Sequence, residues 1–337
     1  MIKTAIIGFG YSAQTFHVPL LQAHSGFSIV AVSSSKAAMV NAALPEASCY
    51  DNVESILQDE TIDLVVITSP NDTHFPIAKA ALERGKHVVL EKPFVNSVTE
   101  GEALIELAEK RQCILSVFHN RRWDGDFLTV KSLIDEGAFG SVRFFESHFD
   151  RFRPKVRDRW REQPGPGAGT WYDLGSHLVD QAFSLFGKPE RISSSCRCLR
   201  ENSKTVDFFH VLLHYPDLEV VLQSSPFSAA ETLRFNVQGE LGNYVKYGLD
   251  PQEMALKSGV IPMSESWFES LQTPDGKLHT DAGVREIVTL AGNYSAYFDG
   301  VAAAINQGEA LDVTARQALD VIELIESVER EMRVAGG

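Results

Sequence analysis

Cysteine is scarce, with four in 337 residues: Cys49, Cys113, Cys196 and Cys198. They are too scattered for a disulfide framework, and Cys196-x-Cys198 is too close for an ordinary metal hook and lacks a second pair. Reduced thiols, no bound metal and a cytoplasmic location are the expectation. Long apolar runs are also missing, so no stretch approaches the length that spans a bilayer. The opening Met1-Ile2-Lys3-Thr4-Ala5-Ile6-Ile7-Gly8 runs straight into a strand pattern and leaves no room for a signal peptide. Positive charge is the minority: 31 Lys plus Arg against 45 Asp plus Glu, a formal charge of −14. That balance argues against a nucleic-acid or anionic-membrane partner. Internal repeats and low-complexity segments are absent. What remains is a soluble globular chain, long enough for two domains and a sizeable core.

What is present is organised around His87-Val88-Val89-Leu90-Glu91-Lys92-Pro93-Phe94. The apolar run reads as a buried strand of a parallel sheet. Pro93 cannot donate to a sheet ladder, so the strand stops there. Lys92 then sits at the carboxyl end of a central strand, the edge where open α/β sheets bind ligands. A surface lysine before a turn is the plain alternative.

The first strand, Lys3 to Ile7, leads into Gly8-Phe9-Gly10-Tyr11-Ser12-Ala13, a G-x-G-x-x-A variant of the dinucleotide fingerprint. Gly8 allows the tight turn, Gly10 lets a diphosphate approach the backbone, and Ala13 allows helix to pack on strand. Backbone N–H groups at the helix start then face the phosphates. Pro19 predicts that this helix kinks or restarts. After the second strand, Ser28 to Val32, an NAD enzyme places Asp or Glu for the ribose hydroxyl. Here stand Ser33-Ser34-Ser35-Lys36, whose hydroxyls and ammonium suit a 2′-phosphate. This argues for NADP over NAD, with a polar loop of no cofactor preference as the competing reading. Ile62 to Ile67 is a further strand, after which Asp72 or Thr73 is placed to cap a helix from Phe75 to Gly85. Thr99 to Arg111 and Ile114 to Phe118 follow as helix and strand. Strands alternating with helices predict a doubly wound parallel sheet over residues 1–120.

Residues 121–337 read as a second, α+β domain. A helix is expected over Asp126 to Glu136, and strands over Val142 to Phe149, Val206 to Tyr215, Leu218 to Gln223 and Leu233 to Gln238, forming a large, mostly antiparallel sheet. One face lies on helices; the other is free for a partner subunit. A helix from Asp173 to Phe186 puts Asp173, His177 and Asp180 or Gln181 on one face. The competing reading makes Asp173 a helix cap and His177 a core histidine. Beside Lys92, the set supplies a cation, a base and an orienting acid. Arg151 to Arg161 is a basic island before the loop Pro164-Gly165-Pro166-Gly167, a lid over an anion, a subunit contact or a solvated loop. Asn293 to Asn306 is a helix, and Thr314-x-x-Gln317 is a capping box for a last helix to about Met332.

The N-terminal G-x-G-x-x-A, the Pro70-Asn71…His74 loop, Glu91-Lys92-Pro93 and Asp173-x-Gly175-x-His177-x-x-Asp180 together resemble the glucose–fructose oxidoreductase/inositol dehydrogenase/rhizopine-catabolism (Gfo/Idh/MocA) family over nearly the whole chain. His119 to Asp124, Glu146 to Pro154 and Tyr247-Gly248-Leu249-Asp250-Pro251-Gln252-Glu253 look more particularly like its NADP-dependent scyllo-inositol dehydrogenases. The resemblance implies a dinucleotide site made of Gly8, Phe9, Gly10, Ser12, Ala13, Ser34, Ser35, Lys36, Ser69, Pro70, Asn71, His74, Glu91 and Lys92. It implies Lys92, Asp173 and His177 as catalytic residues, with His177 the general base and Lys92 orienting the hydroxyl across a cis Lys-Pro bond. Asn120, Arg153, Asp173, His177 and Tyr297 would bind substrate. The implied reaction interconverts a cyclic polyol or sugar with its ketone, scyllo-inositol with scyllo-inosose using NADP(H). Another sugar dehydrogenase, or a non-catalytic sensor of the same fold, are the rivals. Two further implications are a homodimer or homotetramer through the C-terminal sheet, and a last helix that packs back on the first domain.

Overall fold

The computed structural model describes residues 1–158, 162–165 and 167–335, with the side chains of 333–335 excepted. Two compact units emerge. The first comprises Met1–Asn120, Gln252–Ser270 and Tyr294–Ile322; the second comprises Arg121–Pro251, Leu271–Asn293 and Glu323–Gly337. Among the described residues, no helix is long and apolar enough to cross a membrane.

The first unit holds a six-stranded parallel sheet. Its strands are β1 (Ile2–Ile7), β2 (Phe27–Ser33), β3 (Ser48–Tyr50), β4 (Leu64–Ile67), β5 (His87–Leu90) and β6 (Leu115–Val117), in the order β3-β2-β1-β4-β5-β6. This is the doubly wound dinucleotide-binding order, and it reverses between β1 and β4. Every residue of β4 is buried, as is Val88 to Leu90 of β5. Helices cover both faces, so an unbroken apolar run suits these strands better than alternation. Helix Val98–Arg111 begins one residue before the predicted Thr99, with Ser97 Oγ accepting from Glu100 N at 3.3 Å. The Thr314–Gln317 capping box also forms, with reciprocal contacts of 3.1 and 3.2 Å. One expectation fails: the helix His74–Glu83 has Thr73 at its N-cap but no side-chain cap from it. Thr73 Oγ1 instead donates to Pro70 O at 2.6 Å, inside the short Asn71–Thr73 turn.

The second unit holds an eight-stranded sheet of β7 (Val142–His148), β8 (Arg191–Arg197), β9 (Phe208–His214), β10 (Glu219–Ser224), β11 (Leu233–Gly239), β12 (Asn243–Tyr247), β13 (Gly276–Thr280) and β14 (Gly283–Ile287). Their order is β14-β13-β12-β11-β7-β10-β9-β8. Only the central β7–β10 pair is parallel. Phe145, Val211, Leu213, Val220, Leu222, Phe235 and Val237 are buried on one face. Helix Gly125–Asp135 meets that face through Phe127 on Phe235, and helix Ser176–Phe186 through Phe186 on Phe145. The other face is polar at its centre: Asn236 Nδ2 donates to Glu146 at 3.1 Å, and His210 meets Gln223 at 3.0 Å. Sequence reading did not anticipate β3, β8, β12 or the β13–β14 hairpin, which carry little apolar alternation.

Candidate functional site

At the carboxyl edge of the parallel sheet, three loops of the first unit are tied together. Gly8 takes φ +93°, and a Cβ there would stand 2.9 Å from Ser69 N. Only glycine fits such a left-handed, crowded position. Thr68 Oγ1 donates to Gly8 O at 3.0 Å, fixing the turn to the end of β4. Phe9 and Ala13 are buried, whereas Gly10 opens onto space, with nothing within 4 Å of where a Cβ would stand. The helix that follows starts with a π turn, Ala13–His17, and restarts as Val18–Ala23, with Pro19 in its first turn. π turns recur at functional sites.

Glu91 is the knot between these loops. Its carboxylate accepts from Ser12 Oγ, from His17 Nε2 at 2.8 Å and from Lys92 N at 3.1 Å. Burial pushes this carboxyl up, but the hydrogen bond and charge of His17, with Ser12 and Lys92, outweigh it and bring the pKa down to about 2. The Glu91 side chain, expected at the cofactor, therefore faces inward. Ser12, also expected at the cofactor, gives its hydroxyl to Glu91. The next peptide bond, Lys92-Pro93, is cis.

His74, expected at the cofactor, is fully buried and acts as a brace. Its Nδ1 lies 3.0 Å from Pro93 O and its Nε2 3.1 Å from Ser69 O, linking the β4 and β5 loops. Burial lowers its pKa, against the opposing effect of hydrogen bonding to backbone carbonyls. Both ring nitrogens are thus occupied by the fold. Ser69 and Lys92 are half-buried and Pro70 exposed, while Asn71 is buried with its Nδ2 taken by no protein acceptor. At the end of β2, Ser34 Oγ accepts from Lys36 N at 3.0 Å, and Ser35 and Lys36 are exposed. Tyr297 was expected at the substrate. It is 2% exposed, donates its hydroxyl to Ser116 Oγ at 2.9 Å, and stands edge-on to Phe118. Its position is that of a core tyrosine. Asn120 is buried and opens the short turn Asn120–Trp123.

The second unit carries the other candidates. The helix expected from Asp173 begins differently, as a π turn, Trp171–Gly175, followed by the α-helix Ser176–Phe186. Gly175 in this turn packs against the Trp171 ring, and a Cβ there would lie 2.3 Å from it. Asp173 is half-buried and His177 is 5% exposed. Farther along the stripe, Asp180 meets both Arg122 Nε and Nη2, at 2.9 and 2.7 Å. Gln181 donates to Arg121 O at 2.7 Å and accepts from the fully buried Arg234 at 2.8 Å. The lower stripe thus faces polar partners within the unit, and its buried charges are paired as buried charges require. Arg153 is held by its backbone, donating to Pro226 O at 2.7 Å. Of the basic island, Arg159, Trp160 and Arg161 lie outside the described residues, as does Pro166 of the loop after it.

Sequence reasoning did not single out His17 or Arg122 as partners of site residues. His17 is 74 positions from Glu91 and Arg122 is 58 from Asp180, so only the folded chain pairs them. Among the described residues, no cluster of three His, Cys, Asp or Glu is placed to hold a metal ion. Surface depressions lined by Phe27 and Ile29, and by Asp63 and His87, open at the amino ends of the strands. The glycine turn and the strand reversal point instead to the carboxyl edge.

A nicotinamide dinucleotide fits that edge. The Gly8 turn, the open approach at Gly10 and the buried Asn71 amide donor are the features a diphosphate-bearing ligand needs. Fold and edge together define a dinucleotide-dependent oxidoreductase. Family models agree: "Oxidoreductase family, NAD-binding Rossmann fold" matches residues 2–119, and "Oxidoreductase family, C-terminal alpha/beta domain" matches residues 131–334. The chain belongs to the Gfo/Idh/MocA oxidoreductase family. It is 47% identical over 329 residues to the uncharacterised oxidoreductase YdgJ of Escherichia coli, covering 96% of this chain and 94% of that one. It is 39% identical to scyllo-inositol 2-dehydrogenase (NADP(+)) IolW of Bacillus subtilis over 330 residues, covering 97% and 92%. Among solved structures, the oxidoreductase yvaA of Bacillus subtilis superposes with a TM-score of 0.95 at 38% identity, covering 99% of this chain and 97% of that one.

Proposed function

We propose that this protein is an NADP-dependent dehydrogenase that interconverts a cyclic polyol with its ketone, with scyllo-inositol as the substrate to try first. The observation carrying this reading is the likeness to an NADP-dependent scyllo-inositol dehydrogenase over 97% of the chain. It is supported by the end of β2, where Ser34, Ser35 and Lys36 stand in place of a carboxylate that would repel a 2′-phosphate. The dinucleotide, when bound, supplies the hydride acceptor. The chain supplies position and proton handling. Lys92 holds the reacting hydroxyl and favours its alkoxide character, and a ring nitrogen of His177 takes the proton. Asp173 orients the base, and Asn120 and Arg153 hold other hydroxyls. Association of two or four copies through the polar face of the eight-stranded sheet belongs to the same reading.

The test is a substrate panel read at the reduced-nicotinamide absorbance band. Scyllo-inositol, myo-inositol and several aldoses are each offered with NADP and with NAD. Turnover of an inositol with NADP preferred is expected. Turnover of aldoses alone would move the substrate class, and a preference for NAD would remove the role given to the β2 terminus.

A further inference from the structure

The stretch Tyr247 to Glu253 has no part in the proposed chemistry, yet each polar residue at its end is anchored. In the second unit, Asp250 accepts from Gly125 N at 2.7 Å. In the first, Gln252, fully buried, accepts from Tyr294 N at 2.8 Å and so fixes the short helix Gln252–Lys257. Glu253, the next residue, accepts from Tyr11 Oη at 2.7 Å and from Lys257 Nζ at 2.8 Å. Lys257 Nζ also lies 5.2 Å from the centre of the Tyr11 ring, a cation over an aromatic face. Tyr11 is the residue between Gly10 and Ser12 in the glycine-rich turn.

The backbone of that turn explains why such an anchor matters. Gly8 is held by its crowding against Ser69, and Ser12 by its hydroxyl on Glu91. Phe9 is buried. Gly10 is the open link: its carbonyl accepts from Gln14 N and Gln14 Nε2, each at 3.2 Å, but nothing stands within 4 Å of where a Cβ would be, and glycine has more conformational freedom to lose than any other residue. A turn that must be ordered on binding weakens affinity by that ordering entropy, and prior anchoring removes the penalty. Tyr11 is the side chain next to Gly10 that reaches a fixed partner.

We propose that Glu253 and Lys257 are positioning residues for the dinucleotide, holding Tyr11 so that the backbone of residues 10–13 is set for the diphosphate before it arrives. This rests on the reading that the turn takes a nicotinamide dinucleotide. The experiment measures direct binding of NADPH and NADH by fluorescence titration, for the wild type, Tyr11→Phe, Glu253→Ala and the double variant. Melting of the unliganded proteins is followed in parallel. Each single variant is expected to bind the preferred dinucleotide about threefold to tenfold more weakly, as loss of one hydrogen bond of ordinary net strength implies. The double variant should be no worse than the weaker single, because both act on one contact. Unliganded melting should stay within about 2 °C, and the kinetic effect should fall on the dinucleotide KM rather than on kcat. Affinities within twofold of wild type, losses that multiply, or a large drop in melting temperature that accounts for the weaker binding would overturn the proposal. A wild type that binds neither dinucleotide would remove the reading beneath it as well.

Discussion

Glu91 and His177 show how differently two side chains singled out in the sequence are used. Glu91 is a half-buried carboxylate whose charge is favoured by His17, Ser12 and Lys92. Its folded pKa of about 2 lies below the usual 4.5, so its contribution to stability is present above the usual value and is lost as pH falls toward 2. Glu91→Ala strands His17 inside the unit and should cost about 3 kcal/mol in urea unfolding at neutral pH. A loss under about 1 kcal/mol would show that the contact carries little weight. His177→Ala is expected to behave in the opposite way. Dinucleotide affinity and melting should hold, while turnover falls about 10²–10⁴-fold, the range for removal of a general base. Normal turnover would take the base assignment away. At this scale the sequence exposed the residues but not their orientation. Lys92 was legible because Pro93 ends a buried strand. The inward turn of Glu91 and the bracing by His74 were not, since both depend on partners brought in by the fold.

At the scale of elements, the two helices that begin with π turns were foreseen as regular or merely kinked. A 3.6-residue period on sequence cannot reveal an i→i+5 turn, and in the second helix Gly175 packs directly on the Trp171 ring. Gly175→Ala should therefore destabilise the protein by about 1–3 kcal/mol through overpacking. Thermal melting checks this, and an unchanged midpoint would mean that the ring moves aside freely. Strand β7 offers a second case. His148 lies between Asp150, at 2.9 Å from Nδ1, and Glu146, at 2.8 Å from Nε2. Burial lowers its pKa, but the two carboxylates overcome that and raise it to about 9. Gln223, 3.3 Å from Nδ1, and Asn236 on Glu146 are the uncharged neighbours, with His210 the other titratable group facing this cluster. A folded pKa above the usual 6.5 contributes stability that is complete below 6.5 and is lost as pH rises through about 9. A histidine NMR titration should place the His148 midpoint near 9, and Glu146→Gln should bring it down. A wild-type midpoint near 6.5 would contradict the pairing.

For the whole molecule, the parallel sheet was readable because each buried strand advertises itself as an apolar run. The outer strands of the second sheet were not, since β8, with its serines, has no buried residue and β14 is largely exposed. The chain's itinerary was equally hidden. It leaves the first unit after Asn120, then returns for Gln252–Ser270 and again for Tyr294–Ile322. The last return brings Tyr294, Tyr297 and Phe298 against Phe16, Phe118 and Phe27. A fragment of residues 1–120 would leave those rings uncovered. Expressed alone, it should bind a hydrophobic dye and lack a cooperative melting transition. A sharp transition would show that the returning segments are dispensable.

The route of the chain also bears on inheritance. A recombination event with one breakpoint near residue 120 would give the recipient a nucleotide fold stripped of its own aromatic cover and of the Glu253 clasp on Tyr11. Lineages carrying this architecture are expected to exchange it whole rather than by grafting one half of the chain onto another.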